Sequence, residues 1–328
     1  LQNAPDWNIS RNRYWATALP VWKCETKTCN EMLIIGSVKE LQENAIETVH
    51  DTVDLHKHVV DLIHLTCNVC RGKMTRIPEV IDCWFESGAM PFAAIHYPFE
   101  NKEAFSHRYP GDFVSEYVSQ VRAWFYYMHT LGVLLFDEAP FKHVVVSGTI
   151  LAADGSKMSK SKNNYTDPAS VFETYGADAM RYYLMSSPLS RAQDVNFKDE
   201  YVRETYRKVI ALTANTLSFY QLYARTNDLV SDPQSHHVLD QWITSRLHQT
   251  NQIVTNGLEA YDTSVACAAL TSFIEDLSTW YLRRSRDRLK EGNETDKTNA
   301  VRTLAHVLHT LSKLMAPITP FIAEEIHQ

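Results

Sequence analysis

Residues 112–150 alternate in a way that few folds accept. A short apolar stretch is followed by a long amphipathic one and then by a β-branched run. Residues 112–116 have the length and character of a strand. Residues 118–135 carry Val121, Trp124, Phe125, Met128, Leu131 and Leu135 at three-to-four spacing, the pattern of an amphipathic helix. Residues 143–150 return to strand character with Val144, Val145 and Val146. Strand, helix and strand of these lengths make a βαβ unit, with a right-handed crossover and a parallel sheet. In such sheets ligands bind beyond the carboxyl ends of the strands.

The segment leaving the second strand therefore matters most for chemistry. Ala153, Asp154, Gly155 and Ser156 form a turn sequence that leads into Lys157, Met158, Ser159, Lys160 and Ser161. Two lysines three residues apart, among small hydroxyl residues, suit a mobile loop that closes over a polyphosphate. Each ammonium is a compact point charge that can meet charge on a leaving group. A lysine- and serine-rich run is ordinarily a solvated turn, but its place directly after an apolar strand favours a phosphate site. The chain has no G-x-x-x-x-G-K-S/T pattern, so a P-loop does not serve this purpose.

After the loop, Asp167 and Pro168 read as an N-cap and a first-turn proline. Gly176 closes that helix, and Asp178 is expected to cap the next one, over residues 179–185. Beyond Asp199 strand signals vanish, and four long segments show helical spacing. One contains Leu239, Trp242, Ile243 and Leu247; another Leu270, Phe273, Ile274, Leu277 and Trp280; the last Val301, Leu304, Leu308, Leu311 and Met315. This is a helical bundle, with polar residues 226–237 between two of its helices. The fold class expected is α/β followed by all-α, and 328 residues suffice for two cores.

Hydrophobic content of 45% and charged content of 22% are those of an ordinary globular protein. No run of eighteen apolar residues occurs, so no membrane helix is expected, and no signal peptide is visible. Leu1 is not an initiator, so the chain is expected to start mid-protein. A formal charge of −7 shows no basic excess, yet a local patch such as Arg283, Arg284 and Arg286 is enough to touch a nucleic acid.

Four of the six cysteines form two close pairs, Cys24 with Cys29 and Cys67 with Cys70. In a chain of cytosolic character such pairs favour a metal over disulfides, and four thiolates suit tetrahedral Zn²⁺. His50, His56, His58 and His64 lie between the pairs and are expected at the surface. Cys83 and Cys267 sit in apolar surroundings and are expected in a core. Arg288, with Arg283, Arg284 and Arg286, is expected on a solvated charged face paired with Asp287 and Glu291. Core packing is favoured for Trp280 and Tyr281 over stacking on a base.

At this point the sequence resembles a known family. Lys157 to Ser161 match the signature KMSKS loop of class I aminoacyl-tRNA synthetases without a mismatch, and neighbouring segments resemble the isoleucyl members in particular. Ile9 to Trp15 look like their ISRQRYW segment, and Asp82 to Gly88 like DVWFDSG. Tyr175 to Arg181 look like YGADALR, and Trp280 to Arg286 like a stretch of the anticodon-binding domain. These motifs occur in the family's order along essentially the whole chain. Arg13, Tyr14 and Trp15 argue against a valyl relative, and Trp280 to Arg286 favour isoleucyl over leucyl.

The resemblance implies a division into three parts. Residues 1–20 and 81–198 would be the C-terminal half of a Rossmann-like catalytic domain. Residues 21–80 would be a zinc-binding insertion, and residues 199–328 an incomplete helical anticodon-binding domain. It implies ATP with Mg²⁺, isoleucine and tRNA(Ile) as substrates, no membrane, a cytoplasmic location and a monomer. Lys160 would be the main phosphate contact and Lys157 its partner, with Met158, Ser159 and Ser161 completing the loop near the adenine.

Glu116 to Trp124 resemble the family's EGxDQxRGW. Glu116 and Gln120 would hold the adenylate, whereas Tyr117, Ser119 and Ala123 replace two glycines and an aspartate. Trp15 and Trp124 would wall the isoleucine pocket, and Arg283 and Arg284 would meet tRNA. An apolar pocket distinguishes isoleucine from valine by one methylene, worth only about 1–3 kcal/mol, so the family adds editing; isoleucyl enzymes are themselves the standard example of that figure. No segment here resembles the editing insertion or the HIGH-type motif, and residue 1 is expected to fall just after that insertion. The isolated chain is expected to show little or no isoleucine-dependent pyrophosphate exchange. Rival expectations are a silent tRNA-binding relative, which an intact lysine loop disfavours, and a zinc-ribbon nucleic-acid module, which the net charge disfavours.

Overall fold

The structure, a computed structural model, describes residues 6–224 and 235–328. Most of the polar stretch expected between two helices, residues 226–234, lies outside the described residues. The first expected strand runs over Gly111–Tyr117 and pairs with Phe141–Ser147 in a two-stranded sheet. The N–H of Gly111 donates to the carbonyl of Pro140 (2.9 Å), and Lys142 meets Asp112 at 2.7 Å. The strands thus start side by side and run the same way, as a βαβ unit requires.

The crossover helix is shorter than the periodicity predicts. It covers Trp124–Phe136, after a 3₁₀ turn at Val118–Arg122 and a break at Ala123 (φ −134°, ψ −108°). Phe125, Met128 and Leu131 are buried, but Val121 and Leu135 are 50% and 55% exposed. Apolar spacing cannot register such a break. Gln120 offsets its cost to the backbone, because its Oε1 accepts the N–H of Trp124 (3.1 Å) where the helix begins. The second strand is also shorter than expected, ending at Ser147, and Ile150–Leu151 pairs instead in parallel with Val195–Asn196. Between them a Cβ on Gly148 would stand 2.0 Å from the carbonyl oxygen of Gln193, so the chain jogs at the one residue without a side chain.

The chain packs as two compact bodies. The first comprises Leu1–Val114 and Ser119–Val144. Its cysteine segment is an antiparallel sheet in the order Met32–Ile34, Val21–Cys24, Lys73–Arg76, Leu65–Thr66. Trp22, Leu65 and Met74 are buried with Leu41, Val60 and Ile63 beneath it, and the Trp22 indole donates to the carbonyl of Ile63 (2.8 Å). Cys83 corrects the expectation of a core residue: it is exposed at the start of the helix Cys83–Gly88. The neighbouring Asp82 is the buried group, held by the indole N–H of Trp7 (2.8 Å) and by Arg11 (3.1 Å).

The second body comprises Ser115–Val118 and Val145–Gln328. Asp167 caps Pro168–Tyr175 by accepting the N–H of Ala169 (3.1 Å), and Gly176 (φ +81°) ends that helix, both as the sequence indicates. Asp178 does not cap its own helix, Ala177–Ser186. Its buried carboxylate accepts the N–H of Ile322 (2.8 Å) and so caps Pro320–His327, where Thr319 supplies no side-chain cap. Arg181 joins this clamp, donating to the carbonyls of Ile318 (2.9 Å) and Pro317 (3.1 Å).

The expected bundle is present, and two of its long helices carry π-helical turns, at Tyr206–Ile210 and Asp276–Leu282. Ile243, Leu247, Leu270, Phe273, Ile274, Leu277, Leu304, Leu308, Leu311 and Met315 share one core. Cys267 lies within it as expected, and burial pushes its thiol up to about 12. Trp280 departs from expectation and is 48% exposed, whereas Tyr281 is fully buried. Arg288 is the second correction in this region. It pairs with the buried Asp240 (2.9 Å) and with Asp296 (2.7 Å), rather than lying on a solvated face with Asp287 and Glu291. The Tyr281 hydroxyl donates to the same Asp240 (2.8 Å), which compensates a buried charge with hydrogen bonds from several donors. Among the described residues no helix is long and apolar enough to cross a membrane.

Candidate functional site

The lysine loop grows from the end of Ile150–Leu151 as a tight reversal. Ala152 N–H donates to the Ser156 carbonyl (2.8 Å), and Gly155 N–H donates to the Ala152 carbonyl (2.9 Å). Gly155 takes φ +81°, a left-handed conformation that glycine adopts without steric cost. Asp154 accepts from the Ser156 N–H (2.9 Å), and the backbone and hydroxyl of Ser156 hold its carboxyl below the usual range. Lys157 bridges back to Leu151, and Lys160 opens a 3₁₀ turn, Lys160–Lys162. Lys157, Lys160 and Ser161 are exposed, while Met158 and Ser159 are half-buried. Both ammonium groups therefore stand in solvent on a hairpin fixed at its base.

The residues of the second constellation each bond locally. Glu116 is exposed, and its carboxylate folds back on the N–H of Tyr117 (3.1 Å). Gln120 is half-buried as the cap of the Trp124 helix. Trp124 is fixed at both ends of its reach, since its indole N–H donates to the Ser87 carbonyl (3.0 Å). Trp15 is 70% exposed and packs edge-on against His56 (5.9 Å between centroids) at the mouth of a cleft of 850 Å³. Thr17, Leu55, Cys83 and Glu86 also line that cleft, whereas the ring neighbour of Trp124 is Phe125.

The four cysteines do converge. Their sulfurs all lie within 4.8 Å of one another, with Cys24 to Cys70 at 3.4 Å and Cys29 to Cys67 at 3.8 Å. Tetrahedral thiolate coordination at about 2.3 Å requires sulfurs roughly 3.8 Å apart, so the donor set fits a metal. Hairpin turns present them: Cys29 N–H donates to the Thr26 carbonyl (2.8 Å), and Cys67 N–H to the Gly72 carbonyl (2.8 Å). Cys70 is brought down to about 6 by the Thr26 hydroxyl, the Gly72 N–H and Cys24. The Glu31 N–H favours the thiolate of Cys29, but burial and the other three sulfurs outweigh it and push that thiol up to about 12. Four thiols this close cannot all ionise without a cation among them. His50, His56 and His58 are exposed, and His64 pairs with Glu47 (2.7 Å), so none enters the cluster.

Gly72 is a residue of this cluster that the cysteine spacing does not reveal. A Cβ there would stand 2.4 Å from Thr26 Oγ1 and 3.2 Å from Cys70 Sγ. Gly72→Ala is expected to weaken metal retention by about 10- to 100-fold, the usual cost of disturbing a group that orients a ligand. Competition with a chromophoric chelator measures this, and adding Thr26→Ala should restore part of the affinity by clearing the space.

On the helical body, Arg283 and Arg284 are both exposed, and the Arg284 guanidinium lies 3.8 Å from the ring centroid of Trp280. This makes a cationic, aromatic face.

Comparison with known proteins bears on the family of the chain. The pattern of tRNA synthetases class I (I, L, M and V) matches residues 1–198, and that of the anticodon-binding domain of tRNA ligase matches residues 240–328. The isoleucine–tRNA ligase of Treponema denticola is 44% identical over the whole of this chain and 31% of its own length. The cytoplasmic isoleucine–tRNA ligase of Schizosaccharomyces pombe is 43% identical over the same shares. The chain thus spans about a third of the length of the curated relatives it matches. In fold it is similar to the LeuRS–tRNA–LeuAMS complex of Agrobacterium radiobacter, with TM-score 0.67 and 22% identity over 98% of this chain and 40% of that one. It also resembles Mycobacterium tuberculosis methionyl-tRNA synthetase with methionyl-adenylate, with TM-score 0.62 and 20% identity over 76% of this chain and 50% of that one. With a catalytic-domain match over residues 1–198 and an anticodon-binding match behind it, the chain belongs to the class I tRNA synthetases.

Proposed function

We propose that this chain is part of an isoleucine–tRNA ligase, which activates isoleucine with ATP and transfers it to tRNA(Ile). The observation that carries the proposal is the lysine loop, a pinned hairpin that holds two exposed ammonium groups beyond a strand end. In the first step an isoleucine carboxylate oxygen bonds the α-phosphorus of ATP, and the bond from that phosphorus to the bridging oxygen breaks. Charge moves onto pyrophosphate, where Lys160 and Lys157 stabilise it. Mg²⁺ bound with the phosphates shares that neutralisation. Met158, Ser159 and Ser161 shape the loop beside the adenine. Glu116 and Gln120 hold the adenylate, and Trp15 and Trp124 supply aromatic walls for the isoleucine side chain. In the second step a hydroxyl oxygen of the terminal ribose of tRNA bonds the aminoacyl carbonyl carbon. The bond from that carbon to the adenylate phosphate oxygen breaks, and AMP leaves with the hydroxyl proton released.

Residues 1–20 and 81–198 are assigned to the catalytic domain, 21–80 to a zinc-binding insertion and 199–328 to the anticodon-binding domain. Cys24, Cys29, Cys67 and Cys70 would hold Zn²⁺ as a structural ion, consistent with four sulfurs within 4.8 Å. Arg283 and Arg284, with Trp280 beside them, are placed on the tRNA-facing side. A cytoplasmic monomer fits this role.

The amino acid is tested by ATP–pyrophosphate exchange in the intact enzyme with isoleucine, leucine or valine. Exchange should be fastest with isoleucine. Preference for leucine or valine would contradict the assignment, and tRNA binding without exchange for any of the three would favour the silent relative.

A further inference from the structure

Three groups of the lysine loop converge on a residue outside the pentapeptide. The side-chain oxygen of Asn164 accepts the N–H of Ser159 (2.9 Å). Its nitrogen donates to Ser156 Oγ (3.0 Å) and to the Lys157 carbonyl (3.2 Å). One amide thus uses both of its hydrogens and its oxygen on three successive parts of the loop. The preceding Asn163 is left-handed (φ 47°), a conformation asparagine tolerates better than most residues, and it reverses the chain after Lys162. Asn164 is half-buried, whereas both lysines are exposed. The loop is also held by the bridge from Lys157 to Leu151, by the N–H of Ala152 on the Ser156 carbonyl (2.8 Å) and by Asp154 on the Ser156 N–H (2.9 Å). The Ser159 and Ser161 hydroxyls at 2.7 Å and the N–H groups of Lys162 and Asn163 on the Ser159 carbonyl (3.1 Å each) add to this. Among the described side chains, however, Asn164 alone ties Ser156, Lys157 and Ser159 together.

On the proposal that this loop acts on ATP, we infer that Asn164 is a positioning residue, closing residues 156–164 into a ring that sets Lys157 and Lys160 before the phosphates arrive. It touches no reacting atom. Its effect runs through the two ends of the Lys157 to Ser159 segment, which it fixes from both sides. A loop already in its working geometry need not be ordered at the moment of reaction, and misplacement of a catalytic charge by about 1 Å can cost on the order of a hundred-fold in rate. Aspartate at this position keeps the shape and the acceptor but loses both donors, and it adds a carboxylate next to the lysines.

The test is isoleucine-dependent ATP–pyrophosphate exchange in the intact enzyme, with Asn164→Ala, Asn164→Asp, Ser156→Ala, the double variant Ser156→Ala with Asn164→Ala, and Lys160→Ala as the control. Asn164→Ala is expected to lower kcat by about 10- to 100-fold, with the KM for isoleucine and the melting temperature unchanged. Asn164→Asp should also slow the reaction. Ser156→Ala should cost a few-fold by itself, roughly the worth of one hydrogen bond, and nothing more once Asn164 is gone, because its contribution passes through that amide. A wild-type rate for Asn164→Ala while Lys160→Ala is slow overturns the inference and leaves the ATP assignment standing. Fully additive losses for Ser156 and Asn164 also overturn it. A loss matched by a raised isoleucine KM and a lower melting temperature assigns Asn164 to the fold alone. An unchanged rate for Lys160→Ala overturns the ATP assignment and this inference together.

Discussion

Alanine at position 160 of the intact enzyme is expected to slow isoleucine activation by about a hundred- to a thousand-fold, with tRNA affinity unchanged. The size follows from what the ammonium would do in the proposed reaction. Negative charge gathers on the departing pyrophosphate, and a fixed cation beside it stabilises the transition state more than bound ATP. Removing one group of that kind ordinarily costs about 2.7–4 kcal/mol. Lys160 is well placed to meet that charge, because it is exposed, it opens the 3₁₀ turn Lys160–Lys162, and among the described residues it has no carboxylate partner. A solvated lysine in an ordinary turn would instead be silent, since exposed charges contribute within about 0–1 kcal/mol. Pyrophosphate exchange for activation and filter binding for tRNA separate the two outcomes.

Stripping the metal, or replacing Cys67 by alanine, is expected to unfold the cysteine segment while the helical bundle stays folded. The sheet over residues 21–76 rests on a small core around Trp22, Leu65 and Met74, and two of the four thiols, Cys24 and Cys67, belong to that same core. A segment this short buries too little apolar surface to be stable by hydrophobic burial alone. Structural Zn²⁺ sites contribute on the order of 10 kcal/mol to folding in small domains, so losing one ligand or the ion outweighs what the core retains. Hydrogen exchange with and without chelator reads this out. Amides of Val21–Cys24 and Lys73–Arg76 should lose protection, while those of Val238–Glu259 and Glu294–Met315 keep theirs. Unchanged protection in the cysteine sheet would contradict a structural metal.

The elements legible in the sequence are those whose signals are local. The strand at Gly111–Tyr117, the capped helix from Asp167 to Gly176 and the long bundle helices each carry their own periodicity or cap. The cysteine cluster is legible because short spacings within each pair place two ligands in one turn. What escapes depends on partners far along the chain. Asp178 looks like the cap of its own helix, but its carboxylate serves Ile322. Arg288 looks solvated beside Asp287, but its guanidinium turns inward to Asp240. The break at Ala123 is hidden because apolar spacing runs through it, and only the Gln120 side chain on the Trp124 N–H marks the true start. Asn164 escapes for a different reason. It lies past the pentapeptide, and only the reversal at Asn163 brings it back to Ser156, Lys157 and Ser159.

Single-turnover kinetics of Lys160→Ala in the intact enzyme, followed separately for the two chemical steps, test the phosphate role of the loop most directly. Formation of isoleucyl-adenylate from isoleucine and ATP should fall by about a hundred- to a thousand-fold. Transfer to tRNA from adenylate already on the enzyme should proceed at the wild-type rate, because no charge then develops on pyrophosphate. Equal slowing of both steps, or normal adenylate formation, would contradict the assignment of Lys160 to the leaving phosphates.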